Sequence, residues 1–230
     1  MDKRIAVVTG ANRGLGWGTA EELAKQGYEL VLMGRKKKEL AERVASLTKA
    51  DKKASYIELD LANPASIEAG AAELAKRYPG GVHVVVNNAG VFLENGKPYA
   101  RELVKDTLQV NTLGPLQFAE AVGPLLRKTK GSLVNVSSGM GQLSDMGGGS
   151  PGYRISKTAL NAVTKYLSAE WKEAGVRVNS ICPGWVKTDM GGEGAERTIE
   201  EAVKGIVWAA TIPPGGPTGS FFRDGKKIDW

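Results

Sequence analysis

The chain is poor in the side chains that most often hold metal ions: it has one cysteine, Cys182, and one histidine, His83, among 230 residues. An internal disulfide framework is thereby excluded, and a Cys/His metal site has too few ligands, so no metal is expected. A lone thiol suits a reducing compartment, and a cytoplasmic location is the expectation. Long apolar runs are missing as well. No window approaches the ~18 uninterrupted apolar residues of a membrane span, so no membrane partner is expected. The opening Met1-Asp2-Lys3-Arg4 runs into an apolar stretch without the small-residue cleavage site of a signal peptide. Aromatics are few and are not interleaved with the basic clusters, which removes the stacking surface that a single-strand nucleic-acid binder needs.

Positive charge is in excess, with a formal net charge of +6 and a pI near 9.3. The basic residues are spread along the chain, and only short clusters such as Arg35-Lys36-Lys37-Lys38 and Lys226-Lys227 occur. Nucleic acid is not an expected partner; the charge serves solubility and attracts an anionic small ligand.

Hydrophobic patterning alternates between strands and helices throughout. Short apolar runs at 4–9, 28–33, 54–59, 82–86, 131–138, 176–181 and 219–222 read as strands, the first nearly continuous, as a strand buried on both faces should be. Helical patterns lie between them at 15–26, 36–49, 64–78, 101–128, 153–174 and 198–210. The expected fold is α/β: a single doubly wound, Rossmann-type parallel sheet of about seven strands with helices on both faces, spanning residues 1–230 as one domain.

The first strand feeds T-G-A-N-R-G-L-G, Thr9 to Gly16, and then a helix. Glycines there let the backbone approach a phosphate, and the helix N-terminus offers unpaired N–H groups to it. The spacing is G-x-x-x-G-x-G and not the G-x-G-x-x-G fingerprint. At the end of the second strand, where an acidic residue would take ribose hydroxyls, the chain has Gly34 and Arg35. A guanidinium there suits a 2′-phosphate, and Arg13 can reach the same neighbourhood, so NADP is expected over NAD. Asp60 ends the third strand, where it can accept from an adenine amino group or cap the next turn. N-N-A-G at Asn87–Gly90 leaves room for a ligand, and its asparagines can tie neighbouring strands together. Asn111, beside Gly114 and Pro115, interrupts a long helical pattern and marks an irregularity that frees a carbonyl.

The fifth strand delivers Ser137-Ser138, a glycine-rich loop, and then Tyr153 and Lys157, four residues apart on one helix face. A phenol has a reference pKa of about 10, and a cation at roughly 4–6 Å favours the phenolate, making the tyrosine an acid usable near neutral pH. After the sixth strand, C-P-G-W-V-K-T-D-M turns the chain at another strand C-terminus, and residues 191–195 read as a mobile lid.

These motifs together resemble the short-chain dehydrogenase/reductase family over essentially the whole chain, and C-P-G-W-V-K-T-D-M with F-F-R-D-G-K looks most like its carbonyl-reductase-type members. The resemblance implies that Tyr153 is the general acid, Ser138 polarises the carbonyl oxygen, Lys157 tunes the tyrosine and grips the nicotinamide ribose, and Asn111 holds a water beside Lys157. It implies NADP(H) on Gly10, Asn12, Arg13, Gly14, Leu15 and Gly16 at the pyrophosphate and adenosine side. Arg35, Asp60, Leu61, Asn88, Ala89 and Gly90 would take the adenosine and ribose; Pro183, Gly184, Val186 and Thr188, with Tyr153 and Lys157, would take the nicotinamide end. Three features depart from the family pattern. His83 stands where Asp is usual and reads as structural, Trp17-Gly18 replaces aliphatic residues, and the Ser138-to-Tyr153 spacing is long and includes Gly147-Gly148-Gly149.

The implied activity is an NADPH-dependent reduction of a ketone or aldehyde. Alternatives are a reductase or dehydrogenase of a narrower substrate, such as a 3-oxoacyl thioester, a steroid or a sugar, and a non-catalytic NADP-binding sensor or scaffold. Relatives pair through their two long central helices, here about 101–128 and 153–174, so a homodimer or homotetramer is expected.

Overall fold

Short apolar runs build the sheet. The computed structural model describes residues 4–230, so the reading of the opening Met1-Asp2-Lys3 lies outside the described residues. Strands β1 (Ile5–Thr9), β4 (Val84–Asn87), β5 (Ser132–Val136) and β6 (Arg177–Ile181) are buried along their whole length, and β2 (Glu29–Gly34) is buried at all but its first residue. Strands covered on both faces have no solvent side to alternate with, which is why β1 and β4 read as nearly continuous apolar runs, while β5 and β6 also bury Asn135 and Asn179.

The strands form one sheet in the order β3-β2-β1-β4-β5-β6-β7-β8, with β3 at Ala54–Glu58, β7 at Phe221–Arg223 and β8 at Lys226–Ile228. All neighbours are parallel except β7 and β8. The eighth strand corrects the expectation of about seven. Asp224 and Gly225 both take positive φ, 51° and 75°, and turn the chain back on itself as a two-residue hairpin. The Asp-Gly pair between F-F-R and K-K-I carried that signal.

Helices α1 (Gly14–Lys25), α2 (Lys37–Lys49) and α7 (Ile199–Ala210) cover one face, with Leu23, Leu40 and Ile206 in the layer beneath them. Helices α3 (Pro64–Arg77), α5 (Gly114–Thr129) and α6 (Pro151–Glu170) cover the other, over Ile67, Phe118 and Leu167. Local signals set the starts of α3 and α7. Asn63 Oδ1 accepts from the amides of Ala65 and Ser66, with Pro64 in the first turn. Thr198 and Glu201 form a reciprocal capping box. Helix α6 begins at Pro151, two residues before the expected start, and ends at Glu170, four residues before the expected end, with Trp171 as its C-cap; the chain then turns through Gly175 at φ 70°.

The irregularity expected near Asn111 is a π-helical turn, Gln109–Leu113, between α4 (Arg101–Leu108) and α5. His83 behaves as a strand-start residue: its Nδ1 accepts from the Ile5 amide at 3.1 Å. Trp17 lies under the Arg43 guanidinium, and Gly18 lets α1 approach α7, since a Cβ there would sit 2.9 Å from Ile199. Strand order reverses between β1 and β4, so the crevice beyond their C-terminal ends is where a ligand belongs in such a sheet.

Candidate active site and cofactor cleft

One cleft of about 1260 Å³ runs along that edge, and every residue expected to bind cofactor lines it, together with Ser138. Its floor is built from close backbone approaches. Gly10 has φ 64°, and a Cβ there would sit 3.0 Å from the Ala89 Cα; a Cβ on Gly16 would collide with the Gly10 carbonyl oxygen. Gly14, at φ 57°, opens α1 and points its first amides into the cleft. The ends of β1 and β4 are laced together: Thr9 Oγ1 accepts from the amides of Asn88 and Ala89, both at 3.0 Å, and Asn88 Nδ2 donates to the Thr9 carbonyl at 2.9 Å. Deeper in the sheet, Asn87 Nδ2 donates to Asn135 Oδ1 at 3.0 Å, tying β4 to β5.

At the end of β2, Arg35 is exposed and makes no ion pair among the described residues. Its neighbour Lys36 is engaged by Glu39 at 2.7 Å, and Glu39 also accepts from Asn12 Nδ2 at 2.6 Å. Those bonds, Lys36 first, hold the Glu39 carboxyl below the usual range. Arg13 pairs with Asp189 across the cleft, so it joins the phosphate turn to the 185–191 segment. Asp60 caps its own turn, with Oδ1 accepting from the Ala62 amide at 3.0 Å, while still facing the cleft. Segment 191–195, read as a lid, is tied back: the Trp185 indole donates to the Gly191 carbonyl at 2.8 Å, and the Gly191 amide donates to Thr188 Oγ1 at 3.1 Å. Glycine cradles, helix-end amides and an unpaired guanidinium together fit a dinucleotide carrying a 2′-phosphate.

The other end of the cleft holds the titratable groups. Tyr153 and Lys157 leave the first turns of α6, and both are buried. The Lys157 ammonium lies 5.7 Å from the Tyr153 ring centroid and donates to the Val136 carbonyl at 2.9 Å. Burial pushes the lysine down to about 8 and the tyrosine up to about 12, the latter opposed by a hydrogen bond to the Ser138 side chain. The tyrosine is thus raised where a lowering by its lysine was expected: desolvation of the buried phenolate outweighs the hydrogen bond from Ser138. Ser138 lies two residues beyond β5 and caps a short 3₁₀ turn, Gly139–Gly141, its Oγ accepting from the Met140 amide at 3.1 Å. Ser137 instead donates to the Lys157 carbonyl at 3.2 Å.

Asn111 does not line the cleft. It lies fully buried behind it, its Nδ2 donating to the Val91 carbonyl and to Ser156 Oγ and its Oδ1 accepting from the Val91 amide. Gly90 separates it from Lys157: a Cβ there would lie 3.2 Å from Asn111 Oδ1 and 3.5 Å from Lys157 Nζ.

Four residues around the site, Phe92, Glu94, Cys182 and Arg223, had no site role in the sequence reading. Phe92 packs against Tyr153 with ring centroids 4.5 Å apart and the planes tilted by 33°, and Glu94 accepts from the Tyr153 amide at 2.9 Å. Cys182 Sγ accepts from the Gly139 amide and from Arg223, both at 3.1 Å, and so braces the turn after Ser138. The V-F-L-E run after N-N-A-G carried a hint, an acidic residue closing an apolar stretch, but nothing in the sequence says that it folds onto α6.

Residues 4–198 match the short chain dehydrogenase family. (+)-Neomenthol dehydrogenase of Arabidopsis thaliana is 31% identical over 95% of each chain, and carbonyl reductase (NADPH) 1 of Rattus norvegicus is 28% identical over 100% of this chain and 99% of its own. Among solved structures, NADPH-bound carbonyl reductase from chicken fatty liver superimposes with a TM-score of 0.88 at 30% identity and full coverage of both chains, and carbonyl reductase Sniffer of D. melanogaster with 0.89 at 30%. With the fold, the glycine turn and the Ser-Tyr-Lys constellation, these likenesses establish that the chain belongs to the short-chain dehydrogenase family.

Proposed function

We propose that the chain is an NADPH-dependent reductase of ketone or aldehyde carbonyls. The observation that carries this reading is a single cleft with a phosphate cradle and Arg35 at one end and Ser138, Tyr153 and Lys157 at the other. Relatives named as carbonyl reductases and as a neomenthol dehydrogenase, acting on C=O and CH-OH groups, support it. NADPH, when bound, supplies hydride to the carbonyl carbon. Gly10, Gly14 and Gly16 would hold its pyrophosphate, Arg35 its 2′-phosphate, and Pro183, Gly184, Val186 and Thr188 its nicotinamide end. Tyr153 donates the proton that the carbonyl oxygen gains, and Ser138 donates a hydrogen bond to that oxygen as charge develops on it. With its pKa raised to about 12, the phenol carries its proton throughout the physiological range, the state that a donor needs. Lys157 places a buried positive charge beside both.

Loss of the reduced nicotinamide's absorbance across a panel of ketones and aldehydes tests the reading. Turnover is expected with part of the panel, and a silent panel alongside tight NADPH binding would favour a sensor. Arg35→Ala is expected to weaken NADPH binding by about 1–3 kcal/mol, in the range of charge-assisted hydrogen bonds, and to leave NADH nearly unchanged. An equal loss on both cofactors, measured by fluorescence titration, would remove Arg35 from the 2′-phosphate site.

The same reading carries a cytoplasmic location, which a single, buried, unpaired thiol suits. Among the described residues no helix is long and apolar enough to cross a membrane. It also carries self-association through the α5–α6 side, where Leu113, Ile155 and Tyr166 stand about half exposed. Light scattering is expected to give a dimer or tetramer, and a monomer mass would overturn that.

A further inference from the structure

The N-terminus of α6 is short of hydrogen-bond acceptors. Ser150 precedes the helix at φ 48° and its side chain caps nothing. Pro151 has no N–H, and the Arg154 amide is already taken by the Ser150 carbonyl at 3.0 Å. The amides of Gly152 and Tyr153 are left without an intrahelical acceptor. Glu94 reaches in from the loop after β4, and its Oε2 accepts from the Tyr153 amide at 2.9 Å. This is the bond that a capping Ser or Asp makes to the third helical residue, supplied here from a distant loop and placed at the positive end of the helix.

The arrangement is costly to maintain. Glu94 is 2% exposed, and its Oε1 is buried without a hydrogen-bond partner among the described residues. A carboxylate oxygen so placed lowers stability. Room for it depends on Gly152, where a Cβ would lie 2.6 Å from Glu94 Oε2 and 2.9 Å from the Val104 Cα. Phe92, two residues earlier, packs on the Tyr153 ring. Val91, at the head of the same loop, is fastened by both its amide and its carbonyl to Asn111. The loop that follows the N-N-A-G segment therefore holds Tyr153 by ring and by backbone at once.

We propose that Glu94 is a positioning residue for Tyr153: by accepting from its amide, it fixes the first turn of α6 and hence where the phenol points in the cleft. The inference rests on the reading of Tyr153 as the proton donor. A misplacement of about 1 Å at a reacting group can cost about 10²-fold in rate, which sets the scale of the effect.

The test compares wild type, Glu94→Ala and Glu94→Gln for kcat and KM on a carbonyl compound that the wild type reduces. NADPH affinity is read from tryptophan fluorescence, thermal stability from circular dichroism, and hydrogen exchange from isotope-labelled tyrosine amides. Glu94→Ala is expected to lower kcat about 10- to 100-fold, to leave NADPH affinity unchanged and to strip the Tyr153 amide of protection. Glu94→Gln, whose amide oxygen accepts the same bond, is expected to keep most of the rate. A Glu94→Ala protein with a lowered Tm and the parental kcat would make Glu94 a stabiliser only and overturn the proposal, as would equal losses in the two variants. Should Glu94→Ala fail to fold, Gly152→Ala evicts the carboxylate by its added methyl, and a parental kcat there would overturn the proposal as well. A wild type inert on the whole carbonyl panel would instead count against the reductase reading, and the amide exchange would still report whether the Glu94 bond exists.

Discussion

Tyr153→Phe is expected to lower kcat by about 10²–10⁴-fold, the range that a positioned general acid contributes, with NADPH affinity unchanged. The substitution removes one oxygen and leaves everything else that fixes the ring. Phe92 still packs against it and Glu94 still accepts from its amide. What disappears is the O–H that donates to the substrate oxygen and the hydrogen bond with Ser138. The variant removes a buried hydroxyl but also the hydrogen bond it makes with Ser138, so the Tm is expected to change little. Steady-state turnover and a fluorescence titration on the same preparation check both halves. A variant that keeps the parental rate would remove Tyr153 as the acid, whatever its neighbours do.

Much of this site was legible in the sequence because it is local. The glycine turn, the Tyr-to-Lys spacing and the run after Cys182 each sit on one connection at a strand's C-terminal end, and the parallel sheet brings those ends to one edge. Strand burial was legible in β1, whose I-A-V-V-T run is nearly all apolar, and less so in β5 and β6, which bury Asn135, Arg177 and Asn179 among their apolar residues. What was illegible depends on pairs remote in the chain. Glu94 meets Tyr153 across 59 positions, and Arg223 meets Cys182 across 41. No residue type or spacing announces such a contact. The direction of the tyrosine's pKa was misread for a related reason: spacing gives the distance between two charges, whereas burial, which decides the sign here, belongs to the whole fold. β8 was different, because its Asp-Gly turn was a local signal overlooked after a strand had already been assigned.

Lys157→Met is expected to raise stability while removing activity. The folded protein holds this ammonium at about 8 against an ordinary 10.5, so at neutral pH, where folded and unfolded chains both carry the proton, burial costs about 3 kcal/mol. The sign follows from proton counts. Between about pH 8 and 10.5 the unfolded chain binds the proton that the folded chain has released, so stability rises with pH across that window and the penalty is gone above it. Methionine carries no charge and fills a similar volume, but it strands the Val136 carbonyl, which costs about 1 kcal/mol or more. The net gain is about 1–2 kcal/mol at neutral pH, about 2–8 °C in Tm for a chain of this size. Activity moves the other way. Removing a preorganised charged donor beside a developing oxyanion costs about 10²–10³-fold in kcat. In the wild type the same titration gives a reduction rate that is level below about pH 8 and falls above it as the ammonium is lost. The variant is expected to lack that limb, its residual rate staying flat through pH 8. Thermal melts and pH–rate profiles on the two proteins measure both effects. A variant that is less stable than wild type at neutral pH would mean that Lys157 contributes more by its bond to Val136 than it costs by its charge. A variant that keeps the falling limb would assign that ionisation to another group.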